Sequence, residues 1–349
     1  MRSVGNVKFQ NALKRIPQEC PPVWFMRQAG RYHKHYQALR AKHDFIELCK
    51  NPELASEVAM GPIQDFDFDV SILFSDLLFP LEAFGMGLTY EPGPTLSYSL
   101  DEASLAKFCS PEEAALNLEF QGEAAKLTRQ KLPQEKSLIG FVGGTWTLFT
   151  YAVEGAHKGG MEKSKRRLAL YRAFCERMIP LLKLNIANQL RGGAEVVMIF
   201  DTSAGELDPE LFQEIVAGPL RDLTRAFPGK IGYYARGIQN AHLKNPVFRS
   251  DELAGLGYDH RWDLREVFSG ALSAGQRPTG FVQGNFDQSL LFLEAGEFEE
   301  RAMKYLTNLK GLGAEARTGW VAGLGHGVLP GTPEANVRRY VQMVREVFK

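Results

Sequence analysis

Cysteine is scarce in this chain and poorly placed for a cluster. The four residues Cys20, Cys49, Cys109 and Cys175 are widely separated, with no Cys-x-x-Cys or His-x-Cys among them. Neither a thiolate metal site nor a disulfide framework is therefore expected, and reduced thiols are. Net charge is missing as well. Lys plus Arg and Asp plus Glu both number 41, which removes the long-range field that nucleic acid or an anionic membrane surface would select. No apolar run approaches the roughly 20 residues of a membrane span, and residues 1–6 lack the apolar core of a secretion signal. Repeats and low-complexity segments are absent too. The expectation is a cytoplasmic protein without nucleic-acid or membrane partners, in which any basic site is local.

What the chain does have is regular alternation. With 44% hydrophobic and 23% charged residues over 349 positions, it can bury a large core. Short apolar runs bounded by turn residues occur at 23–26, 70–74, 138–142, 195–200, 231–235, 256–258, 280–283 and 320–324. Between them lie stretches with helical spacing at 45–60, 111–130, 161–190, 209–227, 264–272, 288–309 and 333–348. Strands that alternate with helices along a whole chain predict a parallel sheet with crossover helices. Eight such units favour an α/β fold of one domain, a single (β/α)₈ TIM barrel over residues 1–349. The connection from Leu77 to Lys136 predicts an insertion after the second strand, with a hairpin over 87–98. Pro180 should kink or split its helix, and residues 155–160 are a second flexible candidate.

In a barrel the chemistry gathers where strands end. The first apolar run stops at Arg27-Gln28-Ala29-Gly30-Arg31, where guanidinium groups at the mouth of a core can make bidentate contacts with carboxylates or phosphates. Arg40 lies nearby in sequence and is a possible additional carboxylate contact, or a surface partner of Asp44 or Glu47. Asp76 follows the second run as a lone carboxylate in apolar surroundings, so it must meet donors or cations, or protonate. It either pairs structurally with Arg27 or faces the cavity. Tyr151 stands more than a turn into a helix that follows Gly143-Gly144. Thr202 offers a hydroxyl or a helix cap. His326, between two glycines after the last run, can turn toward a cavity or serve packing.

Taken together these pieces resemble the uroporphyrinogen decarboxylase family. The resemblance rests on Met26-Arg27-Gln28-Ala29-Gly30-Arg31-Tyr32, Phe74-Ser75-Asp76, Trp146-Thr147-Leu148 with Tyr151, Phe200-Asp201-Thr202, Gln283-Gly284-Asn285 and Leu324-Gly325-His326-Gly327, and it spans nearly the whole chain. It implies a carboxy-lyase of haem biosynthesis, usually a homodimer, that uses no cofactor or metal and converts uroporphyrinogen III to coproporphyrinogen III. It further implies that residues 27–31 bind substrate carboxylates, with Arg27 also a candidate proton donor. Asp76 would accept the pyrrole N–H groups and stabilise a cationic intermediate, and Tyr151, Thr202 and His326 would contact the tetrapyrrole.

Three positions depart from the family pattern: Lys34 and Gln288 stand where proline is common, and Gly323 where asparagine is usual. These loosen loops or substrate orientation in the sequence reading. Two rival functions follow. A corrinoid or thiol methyltransferase on a related barrel would need a zinc-binding histidine and thiolate set, which the cysteine spacing does not offer. A non-catalytic tetrapyrrole-binding barrel would keep the anion pocket without turnover.

Overall fold

The computed structural model describes residues 5–90, 93–155, 160–271 and 277–349. Its centre is a seven-stranded parallel sheet. In chain order the strands are β1 (Val70–Ile72), the short pair β2 (Leu88–Thr89) and β3 (Thr95–Leu96), then β4 (Ser137–Gly143), β5 (Val196–Phe200), β6 (Ile231–Tyr234), β7 (Leu253–Gly257), β8 (Phe281–Phe286) and β9 (Trp320–Leu324). The large sheet runs β1-β4-β5-β6-β7-β8-β9, and β2 and β3 form a separate antiparallel pair.

Each strand of the large sheet is buried throughout because both its faces are covered. Along β5, Val196, Met198 and Phe200 pack with Trp24, Ile72 and Val321 on one side of the sheet. Val197 and Ile199 pack against the helical layer on the other. Burying side chains of this size contributes roughly 1.5–3 kcal/mol each, and the alternation fixes which strand-end residues face inward.

The first expected strand, 23–26, is the one that does not form. Val23 makes only an isolated parallel bridge to Ala322. The cause lies in its donors: Pro22 has no N–H, and the Val23 N–H goes to a side chain, Asp69 Oδ2, at 2.9 Å. The segment still joins both edges of the sheet. Ala322 N–H donates to Pro22 O at 2.9 Å and Trp24 N–H to Ala322 O at 3.3 Å, while on the other side Asp69 N–H reaches Val23 O at 2.9 Å.

Pro180 does not split its helix. The helix Leu168–Arg191 continues through it. Met178, Leu181 and Leu182 are fully buried on either side of the proline, and packing of this extent outweighs one lost intrahelical hydrogen bond. Residues 156–159, within the expected flexible stretch, lie outside the described residues. Among the described residues no helix is long and apolar enough to cross a membrane.

Candidate active site

Asp76 sits just beyond the end of β1. The ladder stops after Leu73, whose N–H donates to Ile139 O at 2.9 Å. The chain then turns, and Asp76 Oδ1 accepts the Leu78 N–H at 2.9 Å, an Asx-type turn that pins the carboxylate. Burial raises its pKa above the ordinary carboxylate range, against the pull of the Leu78 N–H, the Tyr90 hydroxyl and the Arg27 guanidinium. Asp76 is thus a half-hidden anion whose charge is sustained by donors.

Arg27 is presented by a strained turn. Gln28 N–H donates to Phe25 O at 3.1 Å, which makes Arg27 the third residue of a tight turn, with φ at 59°. That region disfavours an arginine by about 1–2 kcal/mol. Gln28 holds the turn: its Oε1 accepts the Phe25 N–H at 3.2 Å and its Nε2 donates to Val70 O at 3.1 Å. Tyr32 adds a hydroxyl bond to Gln28 O at 2.8 Å. The Gln28 side chain is buried and committed to backbone, so it supports the loop that carries Arg27. The exposed Arg27 side chain runs along Gly327, where an added Cβ would lie 2.5 Å from Arg27 Cδ.

Tyr151 lies on the helix Thr145–Glu154, which enters directly from β4. The helix is anchored by Asp201: Oδ1 accepts the Thr147 N–H at 2.8 Å and the Thr147 hydroxyl at 2.7 Å, and Oδ2 accepts the Tyr233 hydroxyl at 3.3 Å. Gly144 is required by the close approach, since a Cβ there would meet Asp201 Cγ at 2.2 Å. Thr147 and Tyr151 are four residues apart and share a helix face. Tyr151 is half-buried; burial raises its pKa, with Asp76 adding to the shift and Arg27 opposing it. Thr202 follows Asp201 in the turn after β5 and is partly exposed.

His326 is held by a residue the sequence reading passed over. The Tyr234 hydroxyl lies 2.8 Å from Gly325 O and 3.1 Å from His326 Nδ1, and the two rings stack at 14° with centroids 6.0 Å apart. Tyr234 is the last residue of β6, on the inward side of the sheet.

Asp76, Arg27 and Tyr151 therefore form one electrostatic neighbourhood, and Arg27 passes the Gly327 that follows His326. Arg31 and Arg40 are exposed and lie on a neighbouring flank around Tyr36, where both influence its phenol. Arg40 Nη1 already donates to His43 O at 2.6 Å. Ala29 packs beside Tyr36 and Leu39. Gly30 sits under the turn, where a Cβ would approach Arg27 O at 3.3 Å. Besides Tyr234, the residue missed from sequence is Tyr90, which approaches Asp76 from the end of β2. Its only signal was an aromatic just before Glu91-Pro92-Gly93.

Two of the three departures have a local account. The Lys34 N–H donates to Glu334 Oε1 at 2.6 Å, a bond proline could not make. Gly323 is required by crowding, because a Cβ would stand 2.7 Å from Trp24 O and 2.5 Å from Gln283 Nε2. Gln288 is buried with its Oε1 lacking a partner among the described residues. Among those residues no group of three or more His, Cys, Asp or Glu side chains could hold a metal ion.

Comparison with known proteins identifies the family. The family model described as "Uroporphyrinogen decarboxylase (URO-D)" matches residues 5–347. A protein named uroporphyrinogen decarboxylase from Koribacter versatilis is 33% identical over 350 residues, covering 98% of this chain and 96% of the relative. One of the same name from Helicobacter hepaticus is 34% identical over 354 residues, covering 98% and 99%. Among solved structures, a methyltransferase from Methanosarcina mazei superposes with a TM-score of 0.76 over 100% of both chains at 17% identity, a likeness of fold alone. With the family model spanning almost the entire sequence and the Arg27, Asp76 and His326 loops meeting at one end of the sheet, the chain belongs to the uroporphyrinogen decarboxylase family.

Proposed function

We propose that this protein decarboxylates the four acetate side chains of uroporphyrinogen III to methyl groups, giving coproporphyrinogen III, without a cofactor. The observation that carries the reading is Asp76, a partly buried carboxylate supported by donors and coupled to Arg27 and Tyr151, within a family whose named members are uroporphyrinogen decarboxylases.

Loss of carbon dioxide from an acetate needs somewhere for the electrons of the breaking bond to go. A pyrrole supplies this itself. A proton added at the ring carbon next to the one that bears the acetate gives a cation conjugated to the acetate-bearing position, and the C–CO₂ bonding pair flows into the ring as carbon dioxide leaves. The exocyclic methylene so formed takes a second proton to become methyl, and the ring carbon releases the first. The net change is one proton taken up and one carbon dioxide released per acetate.

In this reading Asp76 faces the pyrrole N–H groups and stabilises the cation by a charge already in place, the arrangement in which electrostatic catalysis is strongest. Arg27 binds an acetate and is the candidate proton donor. Arg31, with residues 28–30 as its scaffold, and Arg40 meet outlying carboxylates, and Tyr151, Thr202 and His326 line the macrocycle. The first segment and the seven parallel strands act as a closed (β/α)₈ barrel of one domain, and the connection between β1 and β4 covers its mouth. The working form is a cytoplasmic homodimer. Purified protein incubated anaerobically with uroporphyrinogen, without metal or cofactor, is expected to yield coproporphyrinogen on chromatography. Binding without conversion would assign a carrier instead.

A further inference from the structure

The chain between β1 and β4 brings one aromatic residue to the Asp76 carboxylate. Tyr90 comes immediately after the Thr89–Thr95 pair of the β2–β3 hairpin. Its ring packs 4.5 Å from Phe45 and 6.5 Å from Phe79, centroid to centroid. Phe45 packs in turn on Phe74 at 6.0 Å, two residues before Asp76. The phenol is thus wedged among rings that flank the Asp76 turn. Its hydroxyl is buried and meets no partner at hydrogen-bond geometry among the described residues, so it stands as an unsatisfied donor. Yet it lies close enough to Asp76 for each group to shift the other.

We propose that Tyr90 is a positioning residue for the decarboxylation, its hydroxyl directed at the Asp76 carboxylate in the free protein, drawn tighter when the substrate docks, and holding that carboxylate ionised and oriented. The proposal rests on the functional reading above. Hydrogen bonds of this kind are often long in a substrate-free site and tighten in the complex. Asp76 Oδ1 already accepts from Leu78, so a second donor would restrain rotation of the carboxylate plane. Burial and the neighbouring Asp76 raise the Tyr90 pKa, which keeps it a neutral donor. The other titratable groups that influence Asp76 or Tyr90 are Arg27, Cys49, Tyr151 and Glu82, and all stay unchanged in the test below.

Tyr90→Phe keeps the ring and removes the donor. Without a bond that favours the charged form, the Asp76 pKa moves up. The expected result is an acid limb of kcat/KM displaced upward by about one unit and a kcat lowered about tenfold, the two being equivalent in free energy, with KM within about twofold of wild type. A superimposable pH profile with unchanged kcat would overturn the proposal. Tyr90→Leu separates packing from donation: a purely structural Tyr90 predicts loss in Leu and none in Phe. Carboxyl ¹³C NMR of aspartate-labelled protein, with the Asp76 signal assigned by its absence in Asp76→Asn, gives a readout independent of turnover. If wild type fails to convert uroporphyrinogen, the functional reading falls. The titration still decides on Tyr90, an upward shift in Tyr90→Phe supporting its contact with Asp76 and an unshifted signal refuting it.

Discussion

The hydroxyl of Tyr234 and the imidazole of His326 are joined across 92 residues of sequence, with the phenol oxygen 3.1 Å from Nδ1. A phenol has one proton, and the 2.8 Å approach to Gly325 O takes it. The tautomer of His326 that satisfies both contacts is the one that carries a proton on Nδ1 and donates it to the phenol oxygen.

Tyr234→Phe removes that constraint and leaves Gly325 O short of a donor. Losing one neutral hydrogen bond of about 1 kcal/mol predicts a kcat/KM lowered about fivefold, and a shift in the tautomer balance of the imidazole. Steady-state kinetics with ¹⁵N NMR of the imidazole would check both.

Asp76→Asn is expected to leave the protein at least as stable as wild type. Burial raises the folded-state pKa of Asp76 above its unfolded value. Between those two values the native state binds more protons than the unfolded chain, so stability falls as pH rises through the window and stays lower above it. Asparagine keeps an acceptor for Leu78 N–H and has no charge to bury. At pH 7 its Tm should equal wild type or exceed it by about 2 °C, and the decline in stability with rising pH above about 4 should flatten. A Tm several degrees lower would show that the carboxylate holds the fold together.

Arg27→Gly separates strain from function. Glycine accepts the φ of 59° without the Cβ penalty, so relief of about 1–2 kcal/mol is offset by roughly 0.5–1 kcal/mol of added unfolded-state entropy. Thermal melting should therefore show no loss of stability, while kcat/KM falls by about 100-fold or more from the lost charged contact. A variant that melts early would place Arg27 among the structural residues.

Asp201 is expected to behave in the opposite way. Asp201→Ala strands the Thr147 N–H and the Thr147 and Tyr233 hydroxyls, and a cost of about 3 kcal/mol is expected in urea denaturation. Asp201→Asn retains an acceptor and should lose less.

These residues also show how far the sequence could be read. The run at 320–324 matches β9 residue for residue, since a fully buried parallel strand between glycines is legible from composition. The run at 23–26 reads the same way, but its backbone bonds were decided by Pro22 and by Asp69, 46 residues away. Arg27, Asp76 and His326 stood out because polar groups break apolar runs at strand ends. Tyr234 looked like any strand aromatic until the curled sheet set it beneath His326, and Tyr90 needed a hairpin to bring it to Asp76. Chemistry set by a local break was legible, whereas chemistry set by a distant contact was not.

The most direct measurement is the release of ¹⁴C-labelled carbon dioxide from acetate-labelled uroporphyrinogen III by wild type and Asp76→Asn side by side, without metal or cofactor. The expected result is four equivalents per macrocycle from wild type, and a rate lowered by at least about 100-fold in folded Asp76→Asn. No release by wild type, or an unchanged rate in the folded variant, would contradict the assignment of Asp76 as the charge that makes this pocket catalytic.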